Sequence, residues 1–142
     1  MSYTIYTDGG SRGNPGPSAI GYVLEGPGIG KKEHGEYIGK TTNNVAEYQA
    51  VIFALKKLKA LLGSAKAKQA EIKVCADSQL LVRQLSGLYR LKEPKIQQLF
   101  IEVWNLRLDF GKVSWHHVPR ESNTEADRMV NYALDKESDK LI

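Results

Sequence analysis

The hydrophobic period of this chain first changes near Val45, after three strands, and that change goes far to fix the fold class. Before it, apolar residues alternate. In residues 3–8, Tyr3, Ile5 and Thr7 fall on one side and Thr4, Tyr6 and Asp8 on the other, the period-two pattern of a strand. The dense turn signal from Gly9 to Pro17 follows, then a second strand over 18–25. Gly26-Pro27-Gly28 turns the chain back into a polar, edge-like third strand over 32–39. Three strands joined by short turns predict an antiparallel meander. After the change, Val51, Ala54, Leu55, Leu58, Leu61 and Leu62 recur at helical spacing. They predict a helix over 44–62 that stops at Gly63. A fourth strand is expected over 71–76, then a short helix with Leu81, Leu85 and Leu88 on one face. Pro94 suits the first turn of a further helix, whose stripe is Ile96, Leu99, Phe100, Val103 and Leu106. Residues 112–118 predict a fifth strand, and 123–135 a last helix with Ala126, Met129, Val130, Ala133 and Leu134 inward. The order βββαβααβα predicts an α/β fold: a mixed sheet with helices on its faces, the later strands running parallel to the first by crossover.

The 142 residues suit a single domain over 1–142, and 42% hydrophobic residues suffice for a core. Met1-Ser2-Tyr3 leads straight into a strand, so no signal peptide is expected. No apolar run approaches the roughly 20 residues of a membrane span. The one cysteine, Cys75, sits in an apolar strand and leaves no internal disulfide. These features lead us to expect a cytoplasmic protein, and a monomer without an obligate protein partner. A net charge of +4 and a pI of about 9.1 favour a polyanionic partner.

Within this basic chain, four acids occupy places where an apolar or small residue is expected. Asp8 and Asp77 close apolar strands. Glu47 shares a stripe with Val51, Ala54 and Leu58, and Asp127 one with Val130 and Leu134. Each has a plain local explanation. Asp8 and Asp77 could open turns, Asn44-x-x-Glu47 has capping-box spacing, and Asp127 could complement a helix dipole. None of these explains why two strand tips and two helix starts should all carry acids at one end of a sheet. Burying four unpaired carboxylates together is prohibitive without a positive charge among them. A hard divalent cation such as Mg²⁺ is the natural counter-charge. Strand tips of an open sheet are also where sites form.

The stretches TDGGSRGNPGPSAIGYVL (7–24), TTNNVAEYQAVIFAL (41–55), ADSQLLVRQLSG (76–87) and VPRESNTEADRMVNYAL (118–134) resemble type 1 ribonuclease H, in that family's order and over nearly the whole chain. The resemblance implies a five-stranded sheet, three strands antiparallel and then two parallel. It implies a two-metal endoribonuclease acting on the RNA strand of RNA/DNA hybrids and leaving 5′-phosphate and 3′-hydroxyl ends. Asp8, Glu47, Asp77 and Asp127 would hold two Mg²⁺ ions, with Mn²⁺ able to substitute. Asp8 would bridge the ions, Glu47 and Asp77 would serve the leaving-group side, and Asp127 the nucleophile side. Gly9, Asn14, Asn43, Asn44 and Gln79 match substrate-contact positions, the Asn and Gln side chains reaching into the minor groove. Thr42 matches a position that grips a phosphate of the DNA strand.

The sequence departs from the family pattern in two places. Many members carry a histidine before the last helix that assists product departure. His117 lies at the matching distance from Asp127, whereas a short gap puts Arg120 in that role. The long basic handle and the appended hybrid-binding domain of some members have no counterpart here, though Arg90, Lys92 and Lys95 keep some charge. Weaker, more salt-sensitive substrate binding is therefore expected. Three rival readings remain: a same-fold nuclease acting also or mainly on double-stranded RNA, a hybrid-binding module without catalysis, and a generic metal-binding α/β domain.

Overall fold

The computed structural model describes residues 1–140. Strands β1 (Ser2–Ser11), β2 (Gly16–Gly26) and β3 (Gly30–Thr41) form the meander. Helix α1 (Asn43–Gln69) leads to β4 (Glu71–Ala76). Helices α2 (Gln79–Leu85) and α3 (Pro94–Arg107) precede β5 (Lys112–His117). A 3₁₀ turn over Arg120–Ser122 leads into α4 (Thr124–Asp139). The sheet order is β3-β2-β1-β4-β5. β1 pairs antiparallel with β2, and β2 with β3; β4 lies parallel to both β1 and β5. This is the mixed sheet that the element order predicts.

The two faces of the sheet bury different layers. On one, Tyr3, Ile5, Ile20, Leu24, Ile72 and Val74 pack with Tyr48, Val51, Leu55 and Leu58 of α1, and α3 adds Ile96, Leu99 and Val103. On the other, Ala19 meets Val130, Ala133 and Leu134 of α4 in a thinner cluster. Successive residues Ala19 and Ile20 thus serve opposite layers, as the period of two requires. Cys75 is buried, as its setting suggests.

Several element boundaries differ from the sequence expectation. The first three strands are longer at both ends than predicted, and Gly9 and Gly10 belong to β1 rather than to a turn. Their reason is close approach. A Cβ on Gly9 would stand 2.3 Å from the carbonyl of Ala46, where α1 presses on β1, and one on Gly10 would meet Val130 of α4 at 3.5 Å. Glycine inside a strand marks such a contact as well as it marks a turn. On the α4 face, Gly21 and Gly35 admit the backbone of Ala126 and Met129 in the same way. Helix α1 does break at Gly63 (φ 77°), yet the chain re-enters helix and reaches Gln69, burying Ala67. Leu88 lies beyond the end of α2 and is 71% exposed, so it does not extend the stripe of Leu81 and Leu85. The last helix continues to Asp139, past the predicted end.

Candidate active site

The parallel ladder between β1 and β4 ends at the pair Thr7–Ala76. Asp8 and Asp77 are the first residues beyond it, on adjacent strands. Asp77 therefore stands at a strand tip as expected. Asp8 does not, because β1 continues beside β2 and Asp8 pairs there with Gly21. It is the end of one ladder, not of the strand, that opens space for its carboxyl. Strand alternation turns Asp8 to the same face as Gly10 and Gly21, toward α4, whose first turn carries Asp127. Glu47 arrives from the opposite face. The contact of Gly9 with Ala46 and Glu47 brings the first turns of α1 against β1, and a side chain at Gly9 would push them away.

Electrostatics records the convergence. Burial raises the Asp8 carboxyl from its ordinary 3.8 to about 8, assisted by the charge of Asp77, a hydrogen bond and repulsion from Asp127, and the charge of Glu47. Burial likewise raises Glu47 to about 7. The Ser78 hydroxyl opposes that shift and the Asp77 charge adds to it. Asp8 thus feels all three other carboxylates, and Glu47 feels Asp77. Among the described residues, no group of three or more His, Cys, Asp or Glu side chains is already drawn together tightly enough to hold a metal ion. Asp8, Asp77 and Asp127 instead line an open cleft of about 240 Å³ together with Gly9, Gly10, Asn43 and Arg120, and Glu47 is not part of its lining. An open, all-oxygen donor set fits Mg²⁺, which retains waters and takes substrate phosphate oxygens into its shell.

The remaining predicted site residues border this cleft unevenly. Thr42 is the N-cap of α1, accepting from the Val45 amide at 3.3 Å, so Asn44 and Glu47 do not form a capping box. Asn14 accepts from the Asn43 amide at 3.0 Å, and Asn43 accepts from the Ser11 amide at 2.9 Å. Both amide oxygens are used internally, which leaves their NH₂ groups as free donors on an exposed rim. The side-chain oxygen of Asn44 is buried without a partner, beside a recess lined by Gln84, Arg90 and Lys92. Gln79 opens α2 and is exposed, two residues after Asp77. Arg120 lines the cleft with the carboxylates, whereas His117 ends β5 opposite Ala76 and does not line it.

Sequence reasoning missed Asn123. It is 1% exposed, and its Nδ2 donates to the Thr7 carbonyl at 2.9 Å. The signal was available, since an Asn directly before Thr-Glu-Ala-Asp marks a helix start. Nothing in the sequence shows that its side chain turns to the sheet instead of capping α4.

The chain is similar to known proteins over most of its length. Residues 6–133 match the family model described as "Reverse transcriptase-like". The chain is 41% identical over 131 residues to ribonuclease HI of Halobacterium salinarum, covering 92% of this chain and 63% of that protein. It is 38% identical to the bifunctional protein Rv2228c of Mycobacterium tuberculosis over 95% of this chain but only 36% of that protein. It thus spans about a third of the Mycobacterium relative. The crystal structure of LC11-RNase H1 in complex with RNA/DNA hybrid superposes with a TM-score of 0.88 at 42% identity, covering 95% of this chain and 98% of that one.

Proposed function

The chain belongs to the type 1 ribonuclease H family, and on that premise we propose that it is an endoribonuclease hydrolysing the RNA strand of RNA/DNA hybrids, with Mg²⁺ held by Asp8, Glu47, Asp77 and Asp127. The observation that carries this reading is that Asp8, Asp77 and Asp127 line one open cleft in a basic protein, with the charge of Glu47 acting on Asp8 from behind it. A binding module gains nothing from four acids facing a phosphate backbone. The LC11 relative, which shares 42% of its residues with this chain, is described in complex with an RNA/DNA hybrid, and this supports the choice of substrate.

Bound there, divalent metal would supply Lewis-acid chemistry, activating a water and shielding charge on the phosphate and its leaving oxygen. The carboxylates must give up the protons they hold before they can bind it. Asp8, on which the other three acids act, would be the central metal-holding residue, with Glu47 and Asp77 serving the leaving-group side and Asp127 the nucleophile side. The free NH₂ groups of Asn14 and Asn43 would donate to minor-groove acceptors and ribose hydroxyls common to every sequence, with Gln79 and Asn44 extending the same contact. Thr42 and Gly9 would meet the phosphate backbone. Arg120, facing the carboxylates, would draw the cleaved phosphate outward, with His117 as the alternative for that role. We further propose Mg²⁺ as the working ion, with Mn²⁺ able to substitute, a monomeric state without an obligate partner, and a cytoplasmic location. No described helix is long and apolar enough to cross a membrane.

The test is cleavage of an end-labelled RNA strand annealed to DNA, with Mg²⁺ and with EDTA, beside RNA/RNA, DNA/DNA and single-stranded RNA. Mg²⁺-dependent cutting of the hybrid is expected, and the RNA/RNA lane measures strictness. Folded protein that cuts nothing in Mg²⁺ or Mn²⁺ would remove the catalytic assignment and leave the binding reading.

A further inference from the structure

We infer that Asn123 is a positioning residue that sets the separation of Asp8 from Asp127 by tying the strand that carries one to the helix that carries the other. This inference rests on the metal-dependent reading of the acidic cleft. Asn123 stands at the N-cap position of α4, where an asparagine normally turns its side chain onto the amides of the first helical turn. Here it makes no such bond. Its Nδ2 instead donates to the Thr7 carbonyl at 2.9 Å, a bond that spans 116 residues of sequence, and the residue is 1% exposed.

The position of that bond is what gives it a role. Thr7 precedes Asp8 and is the last β1 residue in the ladder with β4. The Asn123 amide therefore holds β1 beside the peptide link from which the Asp8 carboxyl departs. The main-chain carbonyl of the same residue accepts from the Asp127 amide at 3.2 Å. One residue thus holds Asp8's strand with its side chain and Asp127's helix with its backbone. Packing alone is a weaker constraint between these elements. The apolar cluster under α4 is small, and Gly10, Gly21 and Gly35 meet the helix without side chains that could interlock with it. A buried bond given up by the helix cap is a cost to α4, and its return lies in the fixed spacing of two acids that must share an ion. Groups that orient metal ligands from behind in this way are worth 10–100-fold in metal affinity or activity.

The test compares wild type with Asn123→Ala and the isosteric Asn123→Asp, which keeps the shape and removes the donor. Three quantities are read on folded protein: Mg²⁺ affinity by calorimetry without substrate, kcat and KM on the hybrid, and the unfolding midpoint. We expect Mg²⁺ affinity and kcat to fall roughly 10–100-fold with KM for the hybrid nearly unchanged, because the Asn14–Asn43 rim is untouched. A lower unfolding midpoint with wild-type Mg²⁺ affinity and kcat would overturn the inference and leave Asn123 a structural residue only. If neither variant folds, the side-chain amide protons of wild-type Asn123 decide. Protection from exchange, with a shift that tracks Mg²⁺ occupancy, supports the role; protons indifferent to Mg²⁺ refute it. A wild type inert on hybrids whose Mg²⁺ affinity still depends on Asn123 would refute the substrate and spare the positioning role.

Discussion

Replacing Asp77 with asparagine tests the electrostatic reading of the cleft most directly, because it should make the protein more stable and less active at once. Asp77 stands one strand spacing from Asp8, about 4.8 Å, and its charge is the foremost charge acting on the Asp8 carboxyl and also acts on Glu47. At an effective dielectric of about 20, two unit charges about 5 Å apart repel by roughly 3 kcal/mol. With solvent reaching the cleft, a gain on the order of 1–3 kcal/mol for the metal-free variant follows at pH 8–9, where Asp8 and Glu47 carry charge. Both groups are raised above their unfolded values. The stability linked to their protons is therefore complete below about pH 4 and is lost as pH climbs through about 7 for Glu47 and about 8 for Asp8. The advantage of Asp77→Asn should thus shrink toward pH 5, where both neighbours are already neutral. Saturating Mg²⁺ should reverse the order, stabilising wild type more than the variant. Urea unfolding at pH 5 and pH 8.5, with EDTA or Mg²⁺, supplies the four comparisons. Hybrid binding by the variant should persist while cleavage disappears. An Asp77→Asn protein no more stable than wild type in EDTA at pH 8.5 would show that the carboxylates do not repel, and the argument for a resident cation would lose its base.

Gly9→Ala forces a methyl against the Ala46 carbonyl; a loss of about 1–3 kcal/mol in urea unfolding is expected, with cleavage falling further than stability because Glu47 is displaced. Asn14→Ala removes both a free donor and the acceptor for the Asn43 amide, so steady-state kinetics should show KM raised and kcat largely kept. Arg120→Ala should slow turnover after the first cut while leaving the single-turnover rate, whereas His117→Ala should change neither; the opposite result would exchange their roles. Affinity for the hybrid, followed from low to physiological salt, should fall with a log–log slope of roughly one unit per phosphate contact; a slope as steep as that of a handle-bearing relative would count against a small contact set.

The sheet and its direction were legible because alternating and helical periods are both clean in this chain. The acidic quartet was legible because carboxylates in apolar settings need a reason. What escaped is what a one-dimensional pattern does not encode. Gly9 and Gly10 look like the start of a turn in sequence, and only the packing of α1 and α4 on opposite sides of β1 shows them to be points of close approach. Gly63 breaks a helix as its type predicts, but whether helix resumes depends on a place for Ala67 to be buried. Which of Arg120 and His117 borders the cleft depends on where β5 ends, and strand ends are poorly marked when His116, His117 and Val118 all tolerate extension. Asn123 carried a cap signature whose side chain was diverted to a partner 116 residues away.

On the proposed function, that long-range bond also bears on when the protein would become active during its synthesis. Asp8 leaves the ribosome early, on what becomes a central strand, whereas Asn123 and Asp127 leave late. A nascent chain could pair its first four strands and bury much of its main core before α4 exists, since domains fold progressively as they emerge. It would then hold three of the four acids with nothing to set their spacing against the fourth. Nuclease activity would appear only as α4 docks, so a half-made chain would pose no hazard to the hybrids around it.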